Sequence, residues 1–408
     1  MINPSLIRTF AAVGLSLLWI SHGLLSDQTA TARIVENPET PKYTGKEAPE
    51  FVFKPELSIP LIGRRFSFDV DDSGNIYLLE SLASRISVYD KDGHLVSQFG
   101  KKGQGPGEFE NTFFLAVSKD RRIHVIDRPR KAIQIFNAQG KWLEQRRLPS
   151  MGMMNNLKID SHGSMYIQDM RNLFALKDEE RIRRGVGLLG RLSKYDRTFE
   201  KFVEIQVWDS AFLRRAASEG YNFVLYHDVF YYQVAEDDSL YFGNSSSYEI
   251  RRMTPEGRVT KIIKKRETRI PTTKKDLAHL MRNFPEFERL DRELTKTKPF
   301  FFDFHVLDKI GLLVGTYEDE WNDQGILTCD LFDIEGVYIA KVKVPNYYYA
   351  KDQDNISEQR HRIFKNGRCY SIVYNEKDEG LELIRHSVEL KWPAKTNRQE
   401  FDDSRRLP

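Results

Sequence analysis

The stretch 98-QFGKKGQGPGEF-109 places four glycines and a proline within eight positions of a chain that has only 25 glycines in 408 residues. Such a stretch can be a phosphate cradle, a flexible linker or a tightly specified turn. Its flanks decide. Upstream, Asp71–Gly100 reads DDSGNIYLLESLASRISVYDKDGHLVSQFG; downstream, Ser118–Arg147 reads SKDRRIHVIDRPRKAIQIFNAQGKWLEQRR. The two align without a gap, so that Tyr77 falls on His124, Ile86 on Ile133, Tyr89 on Phe136 and Gly93 on Gly140, an offset of 47 residues. Each unit has a turn, an alternating strand, a short polar turn, a second alternating strand, a D/N-x-x-G turn and a third strand. Period-two alternation with β-branched and aromatic residues predicts strands, and the glycine turns suit hairpins.

The same unit returns down the chain. A third copy starts at Ile159–Met170 (IDSHGSMYIQDM) and resumes at Leu192–Ile205, and a fourth fills Val234–Ile263. A fifth is split between Val306–Tyr317 and Cys329–Val344. A sixth, in Phe364–Asn375 and Leu381–Leu390, lacks its final strand. Phe51–Leu61 (FVFKPELSIPL) precedes the first copy and can supply that strand, which closes a ring and removes the open edge. Six four-stranded units predict an all-β, six-bladed β-propeller. The opening stretch is then the connector between two blades, where glycines permit positive φ and close approach and Pro106 stiffens the path. A phosphate loop is excluded, because no G-x-x-x-x-G-K-[ST] is present and strand, not helix, follows.

With FGKKGQGPGEF and the flanking D-x-x-G-x-I-Y and Y-D-x-x-G elements on the page, the chain resembles the NHL-repeat family, most closely its exported bacterial members. The resemblance is specific over residues 66 to 149 and weaker from 155 to 390. It implies a central channel and a binding face formed by the loops that enter each innermost strand. Propellers of that kind include binding scaffolds as well as metal-dependent lyases and lactonases, so fold membership leaves function open.

Composition is that of an ordinary globular chain, 40% hydrophobic and 30% charged with a formal net charge of +3, which gives no global argument for nucleic acid. Residues 1–32 predict a signal peptide: Arg8 supplies the charge, Phe10–Ile20 the apolar run and Ala30-Thr31-Ala32 the small-residue cleavage pattern. The run is short for a membrane span. We therefore expect an exported protein, periplasmic or extracellular, with no transmembrane domain once the signal is removed and a membrane tether if it is not. Residues 33–50 read as a linker, 51–390 as the propeller and 391–408 as a polar tail. Cys329 and Cys369, the two cysteines, lie in strands of different repeats and are expected to be buried free thiols.

Three segments lengthen the spacing: 172–192, 208–223 and 272–296. In the last, Leu277, Leu280, Met281, Phe284, Phe287, Leu290 and Leu294 keep helical spacing. Thr273 with Asp276 makes a capping-box-like start, and Pro285 is expected to divide or kink the helix. This helix is expected to pack on its own domain; as a lid or dock it would make the protein a subunit of an envelope assembly. The basic run Arg258–Ile270 predicts a rim strand whose lysines and arginines guard an edge rather than a nucleic-acid site, since it has no interleaved aromatics. Three tyrosines in Asn346–Asp352 suit contact with carbohydrate or protein.

The entrances to the inner strands carry Arg64, Arg65, Asn111, Asn155, His227 and Asp228, then phenylalanines from Phe300, with Glu358 to His361 last. We take the first six as ligand-binding residues at the channel mouth. Arginines and asparagines suit a polar or anionic ligand, and no catalytic residue and no metal ligand is assigned. A Tyr226-His227-Asp228 run has no nucleophile beside it. The expected function is binding of a protein partner or a polar small molecule or carbohydrate, without catalysis and without a cofactor. The alternative is a metal-dependent lyase or lactonase-type hydrolase in which Asn111, Asn155, His227, Asp228, His305 and Glu358 converge on a divalent metal in the channel.

Overall fold

A computed structural model describes residues 32–63, 65–148, 152–172, 188–210, 213–215, 221–283, 292–318, 326–345, 362–375 and 380–393. These form an all-β, six-bladed propeller. The inner strands of blades I to VI are Phe66–Val70, Thr112–Val117, Met153–Ile159, Phe230–Val234, Asp303–Leu307 and Arg362–Lys365. Each packs against the next, and the sixth returns to the first.

Burial follows radius. In blade I the second strand, Ile76–Glu80, is buried at every position, whereas the fourth, Leu95–Phe99, is exposed or half-buried throughout. Near the axis both faces of a strand are clamped between neighbouring blades, so the alternation of the sequence does not become an inside–outside alternation there. Blades splay outward, and their outer strands regain a wet face. Each of the six seams holds one apolar core. The repeated D-x-x-G carboxylates have a local task. Asp71 Oδ1 accepts from the amides of Ser73 and Asn75, and Asp160 Oδ1 from those of His162 and Ser164, which satisfies turn donors the ladder cannot reach.

The ring closes as the repeats predict. Glu50–Leu61 is the outermost strand of blade VI, antiparallel to Gly380–Lys391, from Glu50 opposite Lys391 to Leu61 opposite Leu381. The residues before it belong to the ring as well. Arg33–Asn37 adds a fifth, parallel strand to blade IV on Val259–Lys265. The amides of Lys42 and Tyr43 then donate to the carbonyls of Tyr338 and Ile339 on the outer strand of blade V. Residues 33–61 thus form a belt over three successive rims. Asn37 buckles it: its side-chain amide donates to the carbonyls of Lys264 and Gly336, and its Oδ1 accepts from the Tyr338 amide at 2.8 Å.

The connector quoted at the outset is a knot rather than a tether. The Gly100 φ of 92° lets the backbone run beside the Phe109 ring, which a Cβ there would meet at 2.5 Å. Phe109 is fully buried, its amide donates to the Lys101 carbonyl and its carbonyl accepts from Gly103. Arg130 Nη2 and Gln134 Nε2 cross-tie the knot to blade II through the carbonyls of Gly103 and Glu108.

Two of the blade-to-blade crossings are enlarged. A helix, α1, covers Lys274–Asn283; Asp276 Oδ2 accepts from the Thr273 amide and Thr273 Oγ1 accepts from the Asp276 amide, as the capping box predicts. Helix does not extend to Leu294, however. Arg292–Leu294 is a strand in parallel register with Tyr221–Leu225, which also pairs with Leu213–Arg215. Backbone pairing between the two crossings overrides the helical spacing of the sequence there. Leu280 to Leu290 of the predicted stripe lie outside the residues whose side chains are described.

Candidate functional site

A cavity of about 430 Å³ opens on the axis where the inner strands run out into their first hairpins. Every blade reaches it; Asp69, Ser118, Lys158, Ala235, Asp308 and Lys365 stand for blades I to VI. The inner strands present an unpaired edge to the axis, and side chains from the ring partly satisfy it. Ser67 Oγ accepts from the Leu115 amide and Asp69 Oδ2 from the Val117 amide at 2.8 Å, so blade I caps blade II.

Several charges at this mouth are paired or hydrogen-bonded by the ring itself. Lys365 Nζ lies 2.8 Å from Asp72 Oδ1 and donates to the Val70 carbonyl. Burial pulls Lys365 down, but the carboxylates of Asp69, Asp72 and Asp71 outweigh it and hold the amine above its ordinary value. Asp160 sits 3.3 Å from Lys194, and Asp238 accepts from the amide and hydroxyl of Ser161 and faces His162 at 3.0 Å. Two sets are left over. On blades II and III, Lys119 and Lys158 have no carboxylate partner among the described residues. On blades IV and V, Asp308 meets Glu236 instead of a cation; burial, then the Glu236 charge and a hydrogen bond to it, push Asp308 up to about 7.

Of the six residues predicted for the mouth, Arg65, Asn111, His227 and Asp228 lie at the opposite end of the inner strands. Arg65 holds a φ of 63° just before its strand, with its guanidinium 4.9 Å from the Phe113 ring centroid; Arg128 covers the same ring at 3.7 Å. The Asn111 amide donates to Asp127 Oδ1, and the Asn111 carbonyl accepts from the Arg128 amide. His227 Nδ1 is 3.1 Å from the Val224 carbonyl, and burial pushes its ring below the usual histidine range. Asp228 is paired with Arg269 at 3.0 Å. Arg64, Glu358, His361 and the Asn346–Asp352 tyrosines fall outside the described residues, as does the Asn155 side chain. Arg65 and Asn111 are thus neighbours on blades I and II, while His227 and Asp228 belong to the crossing into blade IV.

His305 lies instead at the cavity end, buried, with Nε2 2.9 Å from Asp303 Oδ2 and its ring 5.1 Å from that of Phe364. Among the described residues, no three His, Cys, Asp or Glu side chains are grouped to hold a metal ion. Cys329 and Cys369 are free and buried; burial pushes the Cys329 thiol up to about 12, which leaves it unreactive. The basic run is used up in the blade as well: Lys261, Lys264 and Lys265 pair with Glu335, Glu249 and Asp330. Its edge is covered by Arg33–Asn37 rather than guarded by charge.

Sequence reasoning placed the site at the strand entrances because motif-bearing loops enter there. The signal for the other end was present in the D-x-x-G turns, whose first carboxylates ring the cavity, but their regular return is fully explained by hairpin geometry. What distinguishes Glu236, Asp308, Lys119 and Lys158 is the lack of an oppositely charged partner among the described residues, which only the folded arrangement reveals.

The model of the DUF5128 family, described as a 6-bladed beta-propeller, matches residues 68–280. A structure of a DUF4221 family member from Bacteroides vulgatus is similar with a TM-score of 0.52 and 12% identity, over 85% of this chain and 100% of that one. A Bacteroides fragilis protein described as exported gives 0.49 and 16%, over 88% and 100%. Virginiamycin B lyase from Staphylococcus aureus gives 0.43 and 12%, over 82% and 99%. No curated protein matches the chain. No helix among the described residues is long and apolar enough to cross a membrane.

Proposed function

The chain belongs to the DUF5128 family of 6-bladed β-propellers, and from that premise we propose that it is an exported, non-catalytic binding propeller that takes a polar ligand at the hairpin-side mouth of its channel. One observation carries this reading: a cavity framed by all six blades, within the size range of small-molecule sites, keeps charged side chains that the ring does not neutralise. Lys158 and Asp308 are half-buried, so a ligand that pairs with them would offset their partial loss of hydration. A polar small molecule suits this mouth better than a protein partner, which would need a broad contact area. The lyase or lactonase alternative would need Asn111, Asn155, His227, Asp228, His305 and Glu358 to converge, whereas His305 lies at the cavity end and Asn111, His227 and Asp228 at the other. The NHL-like connector fits this reading through the fold alone. Export rests on the charged and apolar N-terminal segment.

The test is a thermal-shift screen of polar small molecules on the full mature chain, repeated on Ala235→Trp, which fills the cavity from its wall. Hits that vanish in Ala235→Trp, while its melting temperature without ligand stays near that of the wild type, support the site. Hits retained in the filled variant overturn it. Lyase or lactonase turnover restored by a divalent metal would overturn the non-catalytic part.

A further inference from the structure

The leftover charges at the cavity are sorted by sign. Exposed Lys119 and half-buried Lys158, free of carboxylate partners among the described residues, occupy the arc of blades II and III; exposed Glu236 and half-buried Asp308, which face each other and, among the described residues, no cation, occupy the adjoining arc of blades IV and V. Of the other carboxylates at the cavity, Asp72 and Asp160 are paired with Lys365 and Lys194, while Asp69, Asp71 and Asp238 are held by amides and hydroxyls of the ring. Nor, among the described residues, does the fold reach across: the belt lies on the outer rims and the enlarged crossings join at the far end of the strands. The mouth is therefore dipolar, with a cationic arc beside an anionic one.

From this sorting, and resting on the binding reading above, we propose that the ligand is a zwitterion with separated ends, of the size of a free amino acid or dipeptide. Its carboxylate meets Lys119 and Lys158, and its ammonium meets Glu236 and Asp308. A simple anion would leave the carboxyl pair without a counter-charge, and a simple amine would leave the lysines so. Only a molecule that carries both charges neutralises both arcs. Charge-assisted hydrogen bonds at each end would make the site reject a ligand with either end blocked, because the matching side chains would stay buried beneath it without a partner.

The test is calorimetric titration of the full mature chain with alanyl-alanine, its N-acetyl form and its C-terminal amide. The expected result is saturable binding of alanyl-alanine, with each blocked form weaker by about tenfold or more. Glu236→Gln should erase the penalty for acetylation and keep that for amidation. Lys119→Met combined with Lys158→Met should do the reverse. This crossed pattern cannot arise from misfolding, which would weaken all three forms together. Equal binding of all three forms, or failure of alanyl-alanine to bind, overturns the zwitterion. The pocket itself stands or falls separately, on whether the polar hits of the thermal-shift screen are lost in Ala235→Trp.

Discussion

Asp330 is fully buried in the seam between blades IV and V, and both of its oxygens are taken up. Oδ1 accepts from Tyr338 Oη at 2.6 Å; Oδ2 accepts from Tyr248 Oη at 2.5 Å and lies 2.9 Å from Lys265 Nζ. The Lys265 amine also contacts Glu267 and rests against the rings of both tyrosines. Burial, then the Asp330 carboxylate, raises both phenols well above the usual tyrosine range, so they remain donors. Lys265→Met leaves Asp330 without its cation and should cost roughly 3–5 kcal/mol in urea unfolding. A loss below about 1 kcal/mol would show that the two tyrosines suffice. His124 sets a pH dependence. It is buried, and that burial pushes it down to about 4, whereas in the unfolded chain it titrates near 6.5. Below pH 6.5 the unfolded state takes up a proton that the folded state refuses, so stability should fall by up to about 1.4 kcal/mol per pH unit down to pH 4. Asp308 runs the other way: raised to about 7, its contribution is present at low pH and lost as pH rises through 7. Unfolding at pH 7 and pH 5 should show a smaller acid loss in His124→Asn than in the wild type; equal losses would refute the assignment. Such residues were not legible in the sequence, where His124 is merely the partner of Tyr77 in an alignment and Lys265 is one cation in a basic run.

Elements were far more legible, because hairpins and blade connectors are local. Asp71, Asp90, Asn137, Asp160 and Asp333 announce turns through side-chain bonds made within four residues. Thr273 and Asp276 announce the start of α1 in the same way. The Leu294 end was misread, since the pairing of 292–294 with 223–225 spans about seventy residues and leaves no local trace. The connector yields a sharp expectation. Gly100→Ala would place a methyl on the Phe109 ring at a φ of 92°, and should cost about 2 kcal/mol or more. Chemical unfolding measures it, and a neutral result would mean that the knot yields. For α1, Asp276→Ala removes more than a cap, because Asp276 Oδ1 lies 2.6 Å from Lys298 Nζ and both side chains are buried. The loss should exceed the ~1 kcal/mol of an ordinary N-cap. An Asp276→Asn variant, which keeps the capping oxygen, should recover only part of it.

For the whole molecule, repeat counting recovered the six blades and the strand that closes them, since Phe51–Leu61 is long, alternating and unclaimed by any repeat. It missed the first half of the belt: Arg33–Asn37 is five residues long, and nothing in so short a run names the blade it joins. Deleting residues 33–48 strips blade IV of its fifth strand and removes the Asn37 buckle and the contact of Tyr43 with Trp392. The melting temperature should fall by several degrees, as for any loss of one or two kcal/mol at this size, with the propeller intact by circular dichroism. Deleting 33–61 opens the ring and should abolish cooperative unfolding. If both deletions behave alike, the belt and the closing strand are one unit.

The closing strand also keeps time. Glu50–Leu61 is synthesised long before its partner Gly380–Lys391. At ordinary elongation rates the early strand waits roughly tens of seconds for its neighbour. Throughout that delay Phe51, Phe53, Ile59 and Leu61 stand on a strand with no ladder to join, and the chain is an open arc that cannot lock. A molecule built this way stays threadable until that partner arrives, and its early strand needs a holder for just that interval.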